Sequence, residues 1–438
     1  MAPPIYDFAL YDLFLKPFAL CRLGAWLQAC GFRVRLVNGL DFRDPPSLAR
    51  LGATRREARG TGKFFRQVIP RPAVLGPVAR HFARYGMLAE SLERELAREE
   101  PDLVLVSSGM TYWYPGVVEA IDRVKRLHPR APVVLGGPYA TLLPEHACRV
   151  TQADHIVAGE AMPPLRPILA RLGLPHEAAW DEAAFWPAPG VDWGAGVLRL
   201  NRGCPFRCAY CASPVLCSGF HAGDPAAAFA QVQMMHRRFG TDSFAFYDDA
   251  LLAGPSLPSF LELLLASGPK LSLYAPNAVH ASFLDRRIAA LLYQAGLREV
   301  CLGVESSLEE FHSGLDRKLD VRRLPEALAT LAEAGFRGRD ITAYILAGLP
   351  GQRWEEVEES LRRTAALGIR VQVTEYSPVP GTALWPDAVR RSGLPLAEEP
   401  LTHNNTLLPM QWEGFRAPDL HKLKSLAREL SRAQTAAG

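Results

Sequence analysis

Cys204, Cys208 and Cys211 stand in one short loop, Arg202-Gly203-Cys204-Pro205-Phe206-Arg207-Cys208-Ala209-Tyr210-Cys211, directly after the strand-like run Gly196-Val197-Leu198-Arg199-Leu200. Intervals of three and then two residues let a single loop wrap a cube of iron and sulfide, each thiolate taking a different iron. Three irons are then held and the fourth keeps open coordination. Such a cluster does chemistry on a bound ligand as well as carrying electrons. The same residues also suit a zinc site with Cys217 or a histidine as fourth ligand, or three unligated buried thiols.

The elements around this loop form a repeat. Strands are expected at 197–200, 243–247, 271–274, 299–303, 342–346 and 371–375, with helices between them that end at Gly240, Gly296, Gly335 and Gly368. Asp224-Pro225 supplies a cap and first-turn pair for the first of these helices. Six strand–helix units make a partial barrel, whose chemistry collects where the strands end. Besides the cysteine loop, the residues there are Asp248-Asp249, Asn277 and His280, Glu305-Ser306, Gly348-Leu349-Pro350-Gly351, and Glu375-Tyr376-Ser377-Pro378. Tyr376 and His280 are the candidates for moving protons. Strand alternation puts Gly303 and Cys301 on the face of Glu305, and so Cys301 in the lumen.

Ahead of the barrel, short apolar strands alternate with helices, as in a doubly wound parallel sheet. A helix at 17–31 leads to a strand at 33–37; a helix at 80–100 leads to a strand at 103–107; a helix at 117–127 precedes strands at 133–137 and 155–158. Ligands of such sheets bind off the carboxyl ends of the strands. Those ends carry Ser107-Ser108-Gly109, Gly136-Gly137-Pro138 and Gly159-Glu160, and glycines there permit close backbone approach. The aromatic stretch Met110-Thr111-Tyr112-Trp113-Tyr114 is either a wall over a ligand or packing between domains. We place the first domain at 1–175, a Pro- and Trp-rich linker at 176–193, the barrel at 194–390 and a helical extension at 391–438. In that extension Leu420, Leu423, Leu426 and Leu430 form a stripe suited to cover the barrel's unpaired edge.

The 438 residues carry a net charge of +3, with no basic field that argues for nucleic acid. Eight irregularly spaced cysteines do not make a disulfide framework, which points to a reducing cytoplasm. Apolar runs are too short to span a bilayer. A monomer acting on a small molecule is expected.

The C-x3-C-x2-C loop with Tyr210 before its last cysteine resembles the signature of the radical S-adenosylmethionine (SAM) superfamily. The resemblance implies a [4Fe-4S] cluster on Cys204, Cys208 and Cys211 that binds SAM and cleaves it to a 5′-deoxyadenosyl radical, with an external one-electron donor of flavodoxin or ferredoxin type. By position it implies SAM contacts from Tyr210, Asp248 and Asp249 (in place of a Gly-Gly-Glu motif), Asn277, Glu305, Ser306, Gly348 and Pro350. The first domain is similar to the cobalamin-binding domain of B12-dependent radical SAM proteins, which implies a corrin cradled by Ser107, Ser108, Gly136, Gly137, Gly159 and Glu160. An Asp-x-His-x-x-Gly lower-ligand motif is absent, and only Met1-Ala2 stand where an apolar strand precedes the Pro-Pro in that family. Together these imply cobalamin-dependent methyl transfer to an unactivated carbon or phosphorus. The alternatives are radical chemistry without methylation, and a non-catalytic iron–sulfur carrier or sensor.

Overall fold

A computed structural model of the protein describes residues 1–57, 59–76 and 78–436. It falls into two compact units, one of Met1–Ala195 with Glu399–His403, the other of Gly196–Glu398 with Asn404–Gly438. The stretch expected as a linker belongs to the first unit.

Among the described residues that unit holds two sheets. Strands β1 (Ile5–Asp7), β2 (Arg66–Val68) and β3 (Ala83–Tyr85) form an antiparallel sheet in the order β1-β3-β2. Strands β4 (Val104–Ser107), β5 (Val133–Gly136) and β6 (His155–Ile156) form a parallel one in sequence order. Val106, Val133 and Leu135 pack against Val117, Ala120, Ile121 and Val124 of the helix Tyr114–Leu127. Val134 packs with Trp26 and Leu27 of the helix Phe18–Ala29 and with Leu165, Ile168 and Leu169 of the helix Met162–Arg171. Alternate residues of one strand therefore enter cores on both faces, as a doubly wound sheet requires.

Two expected elements differ. Part of the helix expected at 80–100 is β3, and the helix itself spans Ala89–Leu96. Between them Gly86 has φ +118, and a Cβ there would lie 2.2 Å from the Gly39 carbonyl oxygen, so the chain cannot coil through it. Arg84 is buried in β3 and pairs with Glu119 at 2.8 Å, which made a strand buried on both sides read like a mixed helical surface. The strand expected at 33–37 is not formed. Only its end engages backbone: Ala2 N donates to Val37 O, and Gly39 N to Ala2 O. Met1 in turn donates its ammonium to Leu105 O and accepts from Ser107 N. Residues 33–37 and 103–105 line a cavity of about 240 Å³, and burial lowers the Met1 ammonium to a pKa of about 5.

In the second unit, β7 (Gly196–Leu198) leads to the hairpin strands β8 (Asn201–Arg202) and β9 (His221–Ala222), which flank the cysteine loop. Then follow β10 (Ser243–Phe246), β11 (Ser272–Tyr274), β12 (Val300–Glu305), β13 (Ile341–Ala347) and β14 (Arg370–Glu375). They make two parallel sheets, β11-β10-β7 and β12-β13-β14. Val279, just past β11, joins them: its N–H donates to Cys301 O at 2.7 Å and its carbonyl accepts from Gly303 N at 3.1 Å. The result is the expected partial barrel. Asp224 caps the helix Pro225–Phe239 by accepting from Ala226 N, and Gly240 closes it with φ +67. The helix Ala417–Ala436 lies along the edge strand β14, where Ser431 Oγ accepts from Val371 N and donates to Val371 O. A side chain thus stands in for the missing neighbouring strand. No helix among the described residues is long and apolar enough to cross a membrane.

Candidate active site

Beyond β8 the chain turns at Gly203, with φ +69. A Cβ there would sit 2.0 Å from the Gly219 carbonyl oxygen, so only glycine lets the loop pass beneath the return to β9. The loop is tied down through Ala209, whose N–H donates to Leu315 O and whose carbonyl accepts from Leu384 N. Its three cysteines line a cavity of about 270 Å³. Burial raises the Cys204 thiol and pushes Cys208 up to about 12, so these sulfurs become thiolates only with a cation to neutralise them. Three sulfur donors on one loop, opening onto a polar cavity, fit an iron–sulfur cluster that leaves room for a ligand. Cys217, the alternative fourth ligand, does not line the cavity.

Tyr210, Asp249, Asn277, His280 and Glu305 share this cavity with the cysteines. Burial raises the Asp249 carboxyl, against a hydrogen bond from Ser213. His280 lies against the Phe206 ring at 5.0 Å, and no hydrogen-bond partner meets its buried Nδ1 among the described residues. Burial, with Lys318 nearby, lowers its pKa to about 4 and keeps the ring neutral at pH 7. Glu305 ends β12 with φ +63, and the pairing of β12 with β13 slips between Gly303 and Glu305. Gly303 and Glu305 nevertheless line the cavity together, as strand alternation expects, while Cys301, two residues back in regular register with β13, lies outside the cavity lining and accepts from Tyr344 Oη at 3.3 Å.

Five other expected residues stand outside this cavity. Asp248 is buried, and its carboxylate accepts from Leu200 N at 3.1 Å and Asn201 N at 2.6 Å, which seats the start of the cysteine loop. Its burial raises the carboxyl to about 7, against those two bonds. Ser306 Oγ meets Ser360 Oγ at 3.2 Å and caps Leu308 N. Gly348, with φ +92, gives its N–H to Gln352 Oε1 at 2.8 Å, and Pro350 follows in the same turn after β13. Tyr376 packs among Leu346, Leu349, Ala388, Leu396 and Met410, and burial raises its phenol.

Sequence reasoning missed three residues. Lys318 lines the cavity, with Nζ 2.6 Å from Glu305 Oε1; burial alone would lower its pKa, yet Glu305 holds it above the ordinary value. Asp316 accepts from Tyr210 Oη at 2.9 Å, and His312 Nδ1 lies 2.8 Å from its other oxygen. The only sequence signal was a His and an Asp four apart at the end of a short helix, with Lys next but one.

In the first unit, the predicted ligand-binding strand ends lie side by side after β4, β5 and β6. Ser107 N pairs with Met1 O. Ser108 Oγ donates to Gly136 O at 2.7 Å and accepts from Ala140 N at 3.2 Å. Gly137 has φ +98, and its Cβ would lie 2.4 Å from Ser108 O, so that glycine is required by the sheet's own packing. Gly159 differs: φ is +77, its N–H donates to Thr141 Oγ1, and a Cβ would meet nothing within 4 Å. Glu160 beside it is exposed. Bare backbone at Gly136 and Gly159 fits a flat macrocycle laid across the strand ends. The aromatic stretch is anchored within this unit, Trp113 Nε1 donating to Asp7 Oδ2 at 2.7 Å and Thr111 Oγ1 meeting His403 Nδ1 at 2.8 Å.

Comparison with known proteins adds family to geometry. Residues 198–364 match the family model of the radical SAM superfamily, and residues 75–169 that of the B12 binding domain. An uncharacterized methyltransferase of Pyrococcus horikoshii is 24% identical over 369 residues, covering 75% of this chain and 76% of the relative. The anaerobic magnesium-protoporphyrin IX monomethyl ester cyclase of Cereibacter sphaeroides is 23% identical over 320 residues, 62% of this chain and 50% of the cyclase. Among solved structures, the radical SAM methyltransferase TsrM of Kitasatospora setae, bound to tryptophan and a SAM analogue, superposes with a TM-score of 0.60 at 17% identity. That match covers 78% of this chain and 80% of TsrM, and the form with cobalamin and a [4Fe-4S] cluster gives 0.59.

Proposed function

We propose that this radical SAM enzyme, whose B12-binding domain precedes its radical SAM domain, carries out cobalamin-dependent methyl transfer to an unactivated carbon or phosphorus of a small molecule. The carrying observation is the cavity in which three cysteines meet Tyr210, Asp249, Asn277, Glu305 and Lys318. When bound, the cluster supplies one-electron cleavage of SAM, and cobalamin supplies a transferable methyl group.

The chain's own residues have separable tasks. Cys204, Cys208 and Cys211 hold the iron. Asp249 and Glu305, with the amide of Asn277, present acceptors and donors to the ammonium and hydroxyl groups of the nucleoside ligand. Lys318 offers the cavity a fixed cation, paired with Glu305 at 2.6 Å. His280, neutral and without a partner at Nδ1 among the described residues, is open to a hydrogen bond with a substrate. Phe206 and the cavity walls exclude water from the reacting groups. Electrons come from an external flavodoxin- or ferredoxin-type donor, and the cytoplasm is the setting that this chemistry needs.

The test is anaerobic turnover of the reconstituted protein with SAM and a reductant. Release of 5′-deoxyadenosine and S-adenosylhomocysteine, both lost in Cys208→Ala, supports the reading; neither product from iron-loaded protein would overturn it. The cyclase relative favours one second reading, ring formation without methylation. That reading expects 5′-deoxyadenosine with no S-adenosylhomocysteine.

A further inference from the structure

The cysteine loop is held from behind by a hydrogen-bonded brace centred on Asp316. One carboxylate oxygen accepts from Tyr210 Oη at 2.9 Å. The other accepts from His312 Nδ1 at 2.8 Å and from Lys318 N at 3.1 Å. His312 Nε2 faces Ser306 O at 2.9 Å. Both partners of the ring are acceptors, a carboxylate and a carbonyl, so both ring nitrogens must carry hydrogen and the residue is an imidazolium. Burial disfavours that charge, but Asp316 and the Ser306 carbonyl outweigh it and raise His312. Asp316 is in turn held low by His312 despite its own burial.

The brace meets the cavity at Tyr210 and Lys318. Tyr210 lies between Cys208 and Cys211 in sequence. Leu315, next to Asp316, accepts from Ala209 N at 2.7 Å, so backbone and side chain tie the same loop to the same turn. Ser306 follows Glu305 at the end of β12, and Lys318 returns to Glu305. The hydroxyl of Tyr210 is therefore one end of a closed unit that fixes the loop relative to the end of β12.

We propose that Tyr210, Asp316 and His312 are positioning residues that preorganise the cysteine loop for its metal, with Asp316 as the hub and His312 holding it in orientation. None of the three ligates iron in this account. A phenol held by an ionised carboxylate is a charge-assisted bond, worth more than a neutral one. Losing it lets Cys208 and Cys211 sample other arrangements, as happens when the outer partners of a metal site are removed.

The inference rests on the cluster reading, so the experiment has one arm that needs no iron. In the full-length apo protein, alkylation by iodoacetamide is followed at Cys204, Cys208 and Cys211 by mass spectrometry for the wild type, Tyr210→Phe, Asp316→Asn and His312→Gln. Tyr344→Phe removes a hydroxyl elsewhere in the same barrel and serves as the control. Tyr210→Phe and Asp316→Asn are expected to alkylate about tenfold faster at Cys208 and Cys211, His312→Gln a few-fold faster, and Tyr344→Phe at the wild-type rate. In the second arm, the reconstituted variants are expected to lose iron to a chelator about tenfold faster. Their reduced clusters should also give an altered electron paramagnetic resonance signal. Circular dichroism identifies any variant that fails to fold, and Tyr210→Phe, which deletes one oxygen, decides the case if Asp316→Asn does. Wild-type alkylation and iron-loss rates in Tyr210→Phe would overturn the brace. Failure of the wild type to take up iron would overturn the cluster reading, while the alkylation arm still judges the brace.

Discussion

The cysteine cavity and the strand ends of the first unit use polar groups in opposite ways. Around the cysteines, side chains carry the function: thiols, Asp249, Glu305, Lys318 and a partnerless His280 nitrogen face one space. At the ends of β4, β5 and β6, Ser108 spends its hydroxyl on Gly136 O and Ala140 N, and what remains is backbone left bare by glycine. Chemistry that makes and breaks bonds needs groups of tuned charge, whereas holding a broad flat cofactor needs shape. Truncating side chains should therefore damage the second unit, and adding a methyl group should damage the first.

The largest effect is expected from Cys204→Ala, Cys208→Ala or Cys211→Ala, each of which should abolish retained iron while leaving cobalt uptake intact. Cobalt lost together with iron would erase the contrast between the regions. Next comes Lys318→Met, which leaves the half-buried Glu305 without its cation. Chemical denaturation should show a loss of about 3–5 kcal/mol, largely recovered in the double variant Glu305→Gln/Lys318→Met. No recovery would mean that Lys318 acts through packing and not charge.

In the first unit the two glycines separate structure from binding. Gly137→Ala adds a Cβ against Ser108 O at a positive φ, and a cost of about 2–4 kcal/mol is expected. Gly159→Ala meets open space, so about 1 kcal/mol is expected from its φ alone, while cobalt retention after desalting should fall. Unchanged cobalt retention in Gly159→Ala would place the corrin elsewhere.

The smallest effect is in the pH dependence of melting. His312 has a raised folded pKa, so its contribution is complete below its ordinary value of 6.5 and fades as pH rises through the folded value. Asp316 is depressed, so its contribution is present above its ordinary value of 3.8 and is lost as pH falls through the folded value. The wild type should be most stable between those limits, and His312→Gln should remove the alkaline decline. A decline that persists in that variant would assign it to another group.

What the sequence revealed follows from how far each signal reaches along the chain. The cysteine loop was legible because its three cysteines lie in one turn, and the barrel because each strand and helix carries its own period and its own cap, as Asp224 and Gly240 do. Lys318, Asp316 and His312 were not, because their role exists only once the helix Glu309–Leu315 folds back against the loop. The slip between Gly303 and Glu305 was equally hidden, because it arises only when β12 pairs with β13. Residues 33–37 have the composition of a strand, but a strand is made by its neighbours, and only Val37 to Gly39 found one, in Ala2.

The most direct measurement is anaerobic reconstitution of the full chain with iron, sulfide and hydroxocobalamin, followed by desalting and a count of iron and cobalt on the same sample. The account predicts one cubane's worth of iron and one cobalt per chain, with iron alone lost in Cys208→Ala. Protein that retains no iron would contradict it.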